Sequence, residues 1–130
     1  MRNFMFQHQN ARETPMPERL SFASFWPQYL SAHHDPRTRA THYVGTILGV
    51  ALLLIGVIAM DWRFFVAAPI VGYGLAMPTH PLFEHNLPKT FEHPLLSFAA
   101  DFYMLYLWAR GRLAGELARL PSATGKAGSR

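Results

Sequence analysis

Histidine is the residue type through which this chain of 130 residues can do chemistry: it has seven histidines and no cysteine. Disulfides, zinc-finger spacings and thiolate clusters are therefore excluded. Four of the seven, His33, His42, His80 and His93, flank apolar segments. His33 and His42 precede the uncharged run Val44–Met60, His80 follows a second run, Phe64–Met77, and His93 opens a third apolar stretch. If the first two runs pair as an antiparallel helical hairpin, all four imidazoles gather at one end of it. Imidazoles collected from several segments are how a protein without thiolates holds a transition metal. These four are accordingly predicted to bind one metal ion. Fe(II), Zn(II) and Mn(II) all suit such a ligand set, and the set alone does not choose between them.

The elements that must position these residues are all helical. Ser24 is expected to cap a short N-terminal interfacial helix with Pro27 in its first turn. Phe25, Tyr29 and His33 then share one face at i, i+4 and i+8. Asp35-Pro36 is a second helix start, with Asp as cap and proline at the first helical position. That helix should continue through Val44–Met60, whose apolar part covers roughly 25 Å, at the short end for crossing a bilayer. Asp61-Trp62-Arg63 forms a polar joint. The run Phe64–Met77, roughly 21 Å long as a helix, returns beside it, with Pro69 inside. Pro78 and Pro81 bracket His80 and place it at or just past the helix end. Residues 81–93 read as a proline-punctuated loop, and a third helix is expected from Leu95 to about Trp108, with His93 at its cap and Pro94 in its first turn. The fold class is thus an all-α integral membrane bundle: a transmembrane hairpin, a third apolar helix and the short interfacial helix.

Stripes of small residues aim the histidines inward. Gly45 and Gly49 form a G-x-x-x-G with Gly56 beyond, and His42 continues that stripe; Ala68, Gly72 and Ala76 are spaced by four, and His80 is the next step. Such stripes let membrane helices approach closely. On the third helix His93, Ser97 and Asp101 follow at i, i+4 and i+8. A carboxylate inside an apolar helix must be paired or face a polar cavity. Asp101 is a ligand, an acceptor that orients a ligand imidazole, or the partner of an arginine. Glu84 can offer a carboxylate to the metal, while Asn86 suits a turn. Arg37 and Arg39 are candidates for holding a substrate carboxylate, although arginines just before a membrane helix also serve as positive-inside anchors. His34 points about 100° away from His33 on a helix and is left out of the cluster, as are His8 and His85.

Twelve Lys and Arg against eight Asp and Glu give a net charge of +4, carried mainly by the two ends of the chain and by Arg37 and Arg39. The aromatics lie in the apolar segments rather than among basic residues, so no nucleic-acid partner is expected. The bilayer is the expected partner, and basic ends facing anionic lipid heads account for the charge. Residues 1–20 and 111–130 are expected to be flexible tails around a membrane domain over 21–110, and homo-oligomers are possible. No apolar run follows Met1 within the first 20 residues, so no signal peptide is expected. The expected location is a multi-pass position in a membrane, such as a bacterial inner membrane, with the histidines at the cytoplasmic face. Three full spans would put the basic C-terminus across the bilayer from the basic N-terminus, against the positive-inside tendency.

The segments SFWPQYLSAHHDPRTRATHYVGT (24–46) and GYGLAMPTHPLFEHNLPKTFEHPLLSFAADFYM (72–104) resemble the small membrane proteins related to the yeast 2-hydroxy fatty acid dioxygenase of phytosphingosine breakdown. The shared pattern is Tyr-x-x-x-His and a second His before the first span, then Gly-His-x-x-x-Glu and a proline-containing loop after the second. Tyr29, His33 and His42 fit the first block; His80, Glu84, Asn86 and Pro88 fit the second; His93 and Pro94 fit the bacterial form. Thr79 stands where the family has glycine. The resemblance implies an Fe(II)-dependent enzyme that uses O2 to shorten a long-chain 2-hydroxy fatty acid by one carbon; Tyr29 and Glu84 of the shared pattern, and Asp101 of the third helix, are the catalytic candidates. A diiron histidine-box hydroxylase is excluded, because neither H-x-x-x-H nor H-x-x-H-H occurs in the chain. The remaining alternative is a non-enzymatic membrane module, either a bis-histidine haem carrier or a helix-packing scaffold.

Overall fold

The computed structural model describes residues 20–121, and within them the secondary structure is entirely helical. The expected tail at residues 1–19, with His8, and residues 122–130 lie outside the described residues. Five α-helices follow in order: α1 (Phe22–Ser31), α2 (Pro36–Ala59), α3 (Arg63–Ala76), α4 (Pro94–Ala109) and α5 (Leu113–Ala118), with a π-helical turn at His80–Glu84 and a 3-10 turn at Lys89–Phe91 between α3 and α4.

Helix α1 starts earlier than the sequence suggested. Ser21, not Ser24, is its cap: the Ser21 hydroxyl accepts from the Ser24 N–H at 3.2 Å and the Ser24 hydroxyl returns a bond to the Ser21 carbonyl at 3.0 Å. The two serines satisfy each other, so one more turn forms and Pro27 falls inside the helix. Packing holds that turn. Phe25, Trp26, Tyr29 and Leu30 are buried in a cluster with Ala100, Met104 and Leu107 of α4, and each large side chain buried there contributes about 1.5–3 kcal/mol. Residues 111–121 depart from the expected tail, because α5 forms. Leu113 joins the same core, and Glu116 accepts from the Trp26 indole N–H at 3.1 Å. Gly111, at φ +67°, makes the turn that brings α5 back.

Helix α2 begins as expected, with the Asp35 carboxylate accepting from the Arg37 N–H at 2.8 Å and Pro36 in the first turn. It ends at Met60, whose left-handed φ of 51° reverses the chain into the Asp61–Arg63 joint. There Asp61 accepts from the Arg63 N–H at 3.0 Å and pairs with its guanidinium at 2.6 Å. The two helices then run antiparallel. A Cβ on Gly45 would meet the Gly72 carbonyl at 2.7 Å, one on Gly49 the Ala68 carbonyl at 3.6 Å, and one on Gly56 the Phe64 Cβ at 3.0 Å. The two small-residue stripes therefore face each other in register, and the hairpin is real as a helical unit.

Its relation to a membrane differs between the two arms. Among the described residues only α2 is long and apolar enough to cross a bilayer; α3, with 14 residues, is not. Only 22% of the most apolar window of α2 is buried within the protein, and Leu54 and Ile58 are 59% and 84% exposed. Most of the apolar window of α2 thus lies outside the protein's core.

The close approach at Gly45 yields the first prediction. Gly45→Ala must push its methyl against backbone that cannot yield, and should cost about 1–3 kcal/mol, the range for overpacking. Gly74, with nothing within 4 Å of its built Cβ, should accept alanine with little change. Thermal unfolding of the two variants in detergent checks this; equal Tm values would refute the contact.

Candidate metal centre

Three of the four histidines converge. His33 comes from the turn after α1, His42 from the second turn of α2, and His80 from the start of the π-helical turn after α3. Pro78 and Pro81 each lack an N–H, so the α3 ladder cannot continue there. The chain widens into a π-type turn instead, a feature frequent at functional sites. All three rings are buried, His33 and His80 at 1% exposure. The His42 Nε2 lies 3.2 Å from the Nε2 of His33 and 3.2 Å from that of His80. One ligand atom from each ring falls within 4.8 Å of the other two.

The opposite nitrogen of each ring is engaged, and by an acceptor. His33 Nδ1 meets the Tyr29 carbonyl at 2.6 Å, His42 Nδ1 the Asp101 carboxylate at 2.9 Å, and His80 Nδ1 the Asn86 side-chain oxygen at 2.9 Å. Asn86 is fixed in that orientation because its amide N–H donates to the Ala32 carbonyl at 3.2 Å. All three Nδ1 atoms must therefore donate, which puts the lone pairs of the neutral rings on Nε2, facing one another. Lone pairs crowded at that separation repel unless a cation stands between them. A shared proton serves the trio only in part, whereas a metal ion placed among them would be faced by all three rings. Two imidazole nitrogens about 2.0–2.1 Å from a common ion lie roughly 2.8–3.4 Å apart for ordinary ligand angles, so the 3.2 Å separations fit such an ion.

The electrostatics agree with this. Burial, and behind it the neighbouring His42, push the His33 imidazole well below its ordinary 6.5, and burial also lowers that of His80. Both rings are thus held neutral, the form that ligates metal. Burial also raises the Tyr29 phenol well above 10, reinforced by the negative Asp101 beside it. Tyr29 accordingly remains a proton donor: its hydroxyl donates to the Asp101 carboxylate, and its ring stacks on His33 with centroids 4.1 Å apart. Asp101 accepts from both Tyr29 and His42, the role of orienting acceptor among the three open to it in the sequence.

Other expected residues stand elsewhere. His93, predicted as a fourth ligand, is outside the trio. It sits at the start of α4 with its ring edge-on to Phe25, centroids 5.7 Å apart. The packing of α1 on α4 draws it toward the aromatic core rather than the metal centre. Glu84 is likewise outside. Its carboxylate accepts from the Asp35 N–H at 2.6 Å, tying the π-helical turn to the start of α2. Arg37 is paired with Asp35 at 2.8 Å and lies 4.0 Å over the Phe83 ring. Arg39 donates to the carbonyls of His33 and His34, at 2.9 and 2.6 Å, and so braces the turn that carries His33. His34 is exposed. Sequence reasoning gave Asn86 a turn and missed its bond to His80, although the His80–Asn86 spacing within one short loop was a usable signal.

Between α2, α3 and α4 lies an apolar cavity of about 140 Å³ whose lining includes Gly49, Ala68, Gly72, Phe98, Phe102 and Asp101. An all-helical protein with a three-imidazole centre at one end of a glycine-lined hairpin is the class these features define. A family model described as 2-hydroxy-palmitic acid dioxygenase Mpo1-like matches residues 20–113, and the chain belongs to that family. The relation to the yeast enzyme's family read from the two motif segments is thereby borne out. Comparisons with curated proteins and with solved structures returned no match.

Metal analysis tests the centre directly. Replacing His33, His42 or His80 singly by Ala should remove most of the bound metal, whereas His93→Ala and His34→Ala should keep it. Wild-type protein should shed metal as pH falls below the ordinary imidazole value, because protons compete for the same Nε2 lone pairs. Retention of full metal content by His42→Ala and His80→Ala would make the trio a structural cluster.

Proposed function

We propose that the protein is a membrane-bound, Fe(II)-dependent dioxygenase that shortens long-chain 2-hydroxy fatty acids by one carbon. The observation that carries the reading is the trio of Nε2 lone pairs with every Nδ1 committed to an acceptor; the family supplies the reaction class. His33, His42 and His80 would hold the ion, which would supply Lewis-acid and redox chemistry to a 2-hydroxy acid and O2. Asp101, Asn86 and the Tyr29 carbonyl keep the three rings in the ligating tautomer. The aromatic packing of α1 and the loop over His80 exclude water from them. The apolar cavity that Asp101 helps to line offers the acyl chain a path past its glycines.

Atoms balance with O2 as the oxidant: R–CH(OH)–COOH + O2 gives R–COOH, CO2 and H2O. Both bonds of the lost carbon to oxygen are already present in the carboxylate, and the new carboxylate forms at C2. A bis-histidine haem carrier is disfavoured, because a macrocycle must separate its two axial imidazoles, whereas here three nitrogens crowd one point. The direct trial is iron-loaded protein with a 2-hydroxy acid series and the non-hydroxylated parents, in air and under nitrogen. Shortened product should form only from hydroxy acids and only in air, and more readily from long chains. No product at full iron occupancy would defeat the substrate assignment.

Two observations support a position in the membrane: the outward apolar surface of α2 and that of α4, where Leu95 is 84% exposed. Surfaces of this kind are stable in lipid rather than water. In the arrangement we propose, the α2–α3 hairpin crosses the bilayer, assisted by tilt or local thinning around the shorter α3, and the metal centre faces the cytoplasm. Cysteines placed at the exposed Trp62 and Leu87 positions should then label from opposite sides of sealed membranes; labelling from one side would overturn the crossing.

A further inference from the structure

Among the described residues three buried hydroxyls make no hydrogen bond, those of Thr38, Tyr43 and Ser97, and Thr38 stands one helical turn from His42. Thr38 is 0% exposed, and its Oγ1 makes no hydrogen bond. A threonine in a helix ordinarily bonds back to the carbonyl four residues earlier, and Thr41 makes such a local bond, to the Thr38 carbonyl at 2.8 Å. Here the carbonyl four residues back is that of His34, which accepts from Arg39. Buried hydroxyls left unpaired are uncommon and call for a reason.

The register places Thr38 at the centre. Asp35, Thr38 and His42 follow at i, i+3 and i+7 on one face of α2, the face that meets the π-helical turn. At one end of this contact Glu84 accepts from the Asp35 N–H, and at the other His80 Nε2 meets His42 Nε2 at 3.2 Å. Thr38 lies between these two contacts, one helical turn from His42, opposite the segment from His80 to Glu84. Thr38 is thus buried on the face of α2 that carries His42, and neither arginine bonds to its hydroxyl. Arg37 turns to Asp35 and Phe83, and Arg39 to the backbone.

We propose that the Thr38 hydroxyl is a ligand-positioning group that hydrogen-bonds the 2-hydroxyl of the acid seated against His33, His42 and His80. A neutral group that both donates and accepts matches an alcohol, which does the same, better than it matches a carboxylate, which usually draws a cation. Thr38 would then distinguish a 2-hydroxy acid from its parent acid, because a site built to bond a hydroxyl discriminates strongly against a ligand lacking one. The inference rests on the 2-hydroxy acid reading given above.

Binding without turnover tests it. Co(II)-substituted full-length protein, in detergent and without O2, is titrated with 2-hydroxyhexadecanoate and with hexadecanoate while the visible d–d bands are followed. Wild type should bind the hydroxy acid more tightly. Thr38→Val, close in shape, should keep its cobalt stoichiometry and Tm, weaken the hydroxy acid by roughly tenfold, about one hydrogen bond, and leave the parent acid unchanged. Thr38→Ser should restore the difference. If Thr38→Val does not fold, Thr38→Ser and Thr38→Ala make the same comparison. Equal weakening of both acids, no weakening of either, or loss of cobalt in Thr38→Val would overturn the assignment while leaving the functional reading in place. Wild type that binds both acids alike would instead remove the functional reading and this inference with it.

Discussion

Everything at the centre of this protein depends on the direction in which three imidazole protons point. A carbonyl, a carboxylate and an amide oxygen each claim one Nδ1–H, and each claim turns a ring so that its remaining lone pair faces the other two. The arrangement is unfavourable in itself, since unpaired nitrogen atoms are brought together in a space shielded from water, and it persists because the acceptors are anchored elsewhere. Asp101 is fixed by α4 and by the Tyr29 hydroxyl, Asn86 by the Ala32 carbonyl, and the Tyr29 carbonyl by the helix that carries it. The three histidines could thus hold a cation.

The surrounding structure serves that arrangement by rigidity. Helix α1 packs its aromatic face on α4 and so fixes both the stacking of Tyr29 on His33 and the reach of Asp101 toward His42. Glu84 fastens the π-helical turn to the start of α2, and Arg39 fastens the turn that carries His33. Charged residues that in isolation suggest catalysis are used here to hold the backbone segments on which ligands ride. That use is economical in a small domain: the metal centre is reached from three separate segments, and each needs a tether.

Along its length the hairpin answers to a different constraint. Glycines at 45 and 72 let two backbones touch, while the outer faces of α2 and α4 remain apolar and uncovered. Close contact inside and apolar surface outside are what lipid requires of a helix pair, because association there rests on packing rather than on the hydrophobic effect. The cavity lined by Gly49 and Ala68 is a consequence of the same small residues: where side chains are missing, space remains between the helices and α4.

The first four α-helices, the polar joint and the inward direction of His42 and His80 were legible in the chain, whereas α5 was not. The legible features follow from local rules: caps, proline positions and a four-residue spacing of small side chains. The sequence also made His33 and Asp101 legible, since each continues a helical face. Only the tertiary structure decided which histidines meet. His93 and His80 are alike in sequence, each beside a proline at the edge of an apolar helix, yet α1 draws one toward Phe25 while the π-helical turn delivers the other to His42. The tether from Glu84 to the start of α2 and the anchoring of Asn86 on Ala32 were hidden for the same reason. Local spacing fixes which way a side chain leaves its own helix, but a hydrogen-bond partner 49 or 54 residues distant is fixed by how the helices pack.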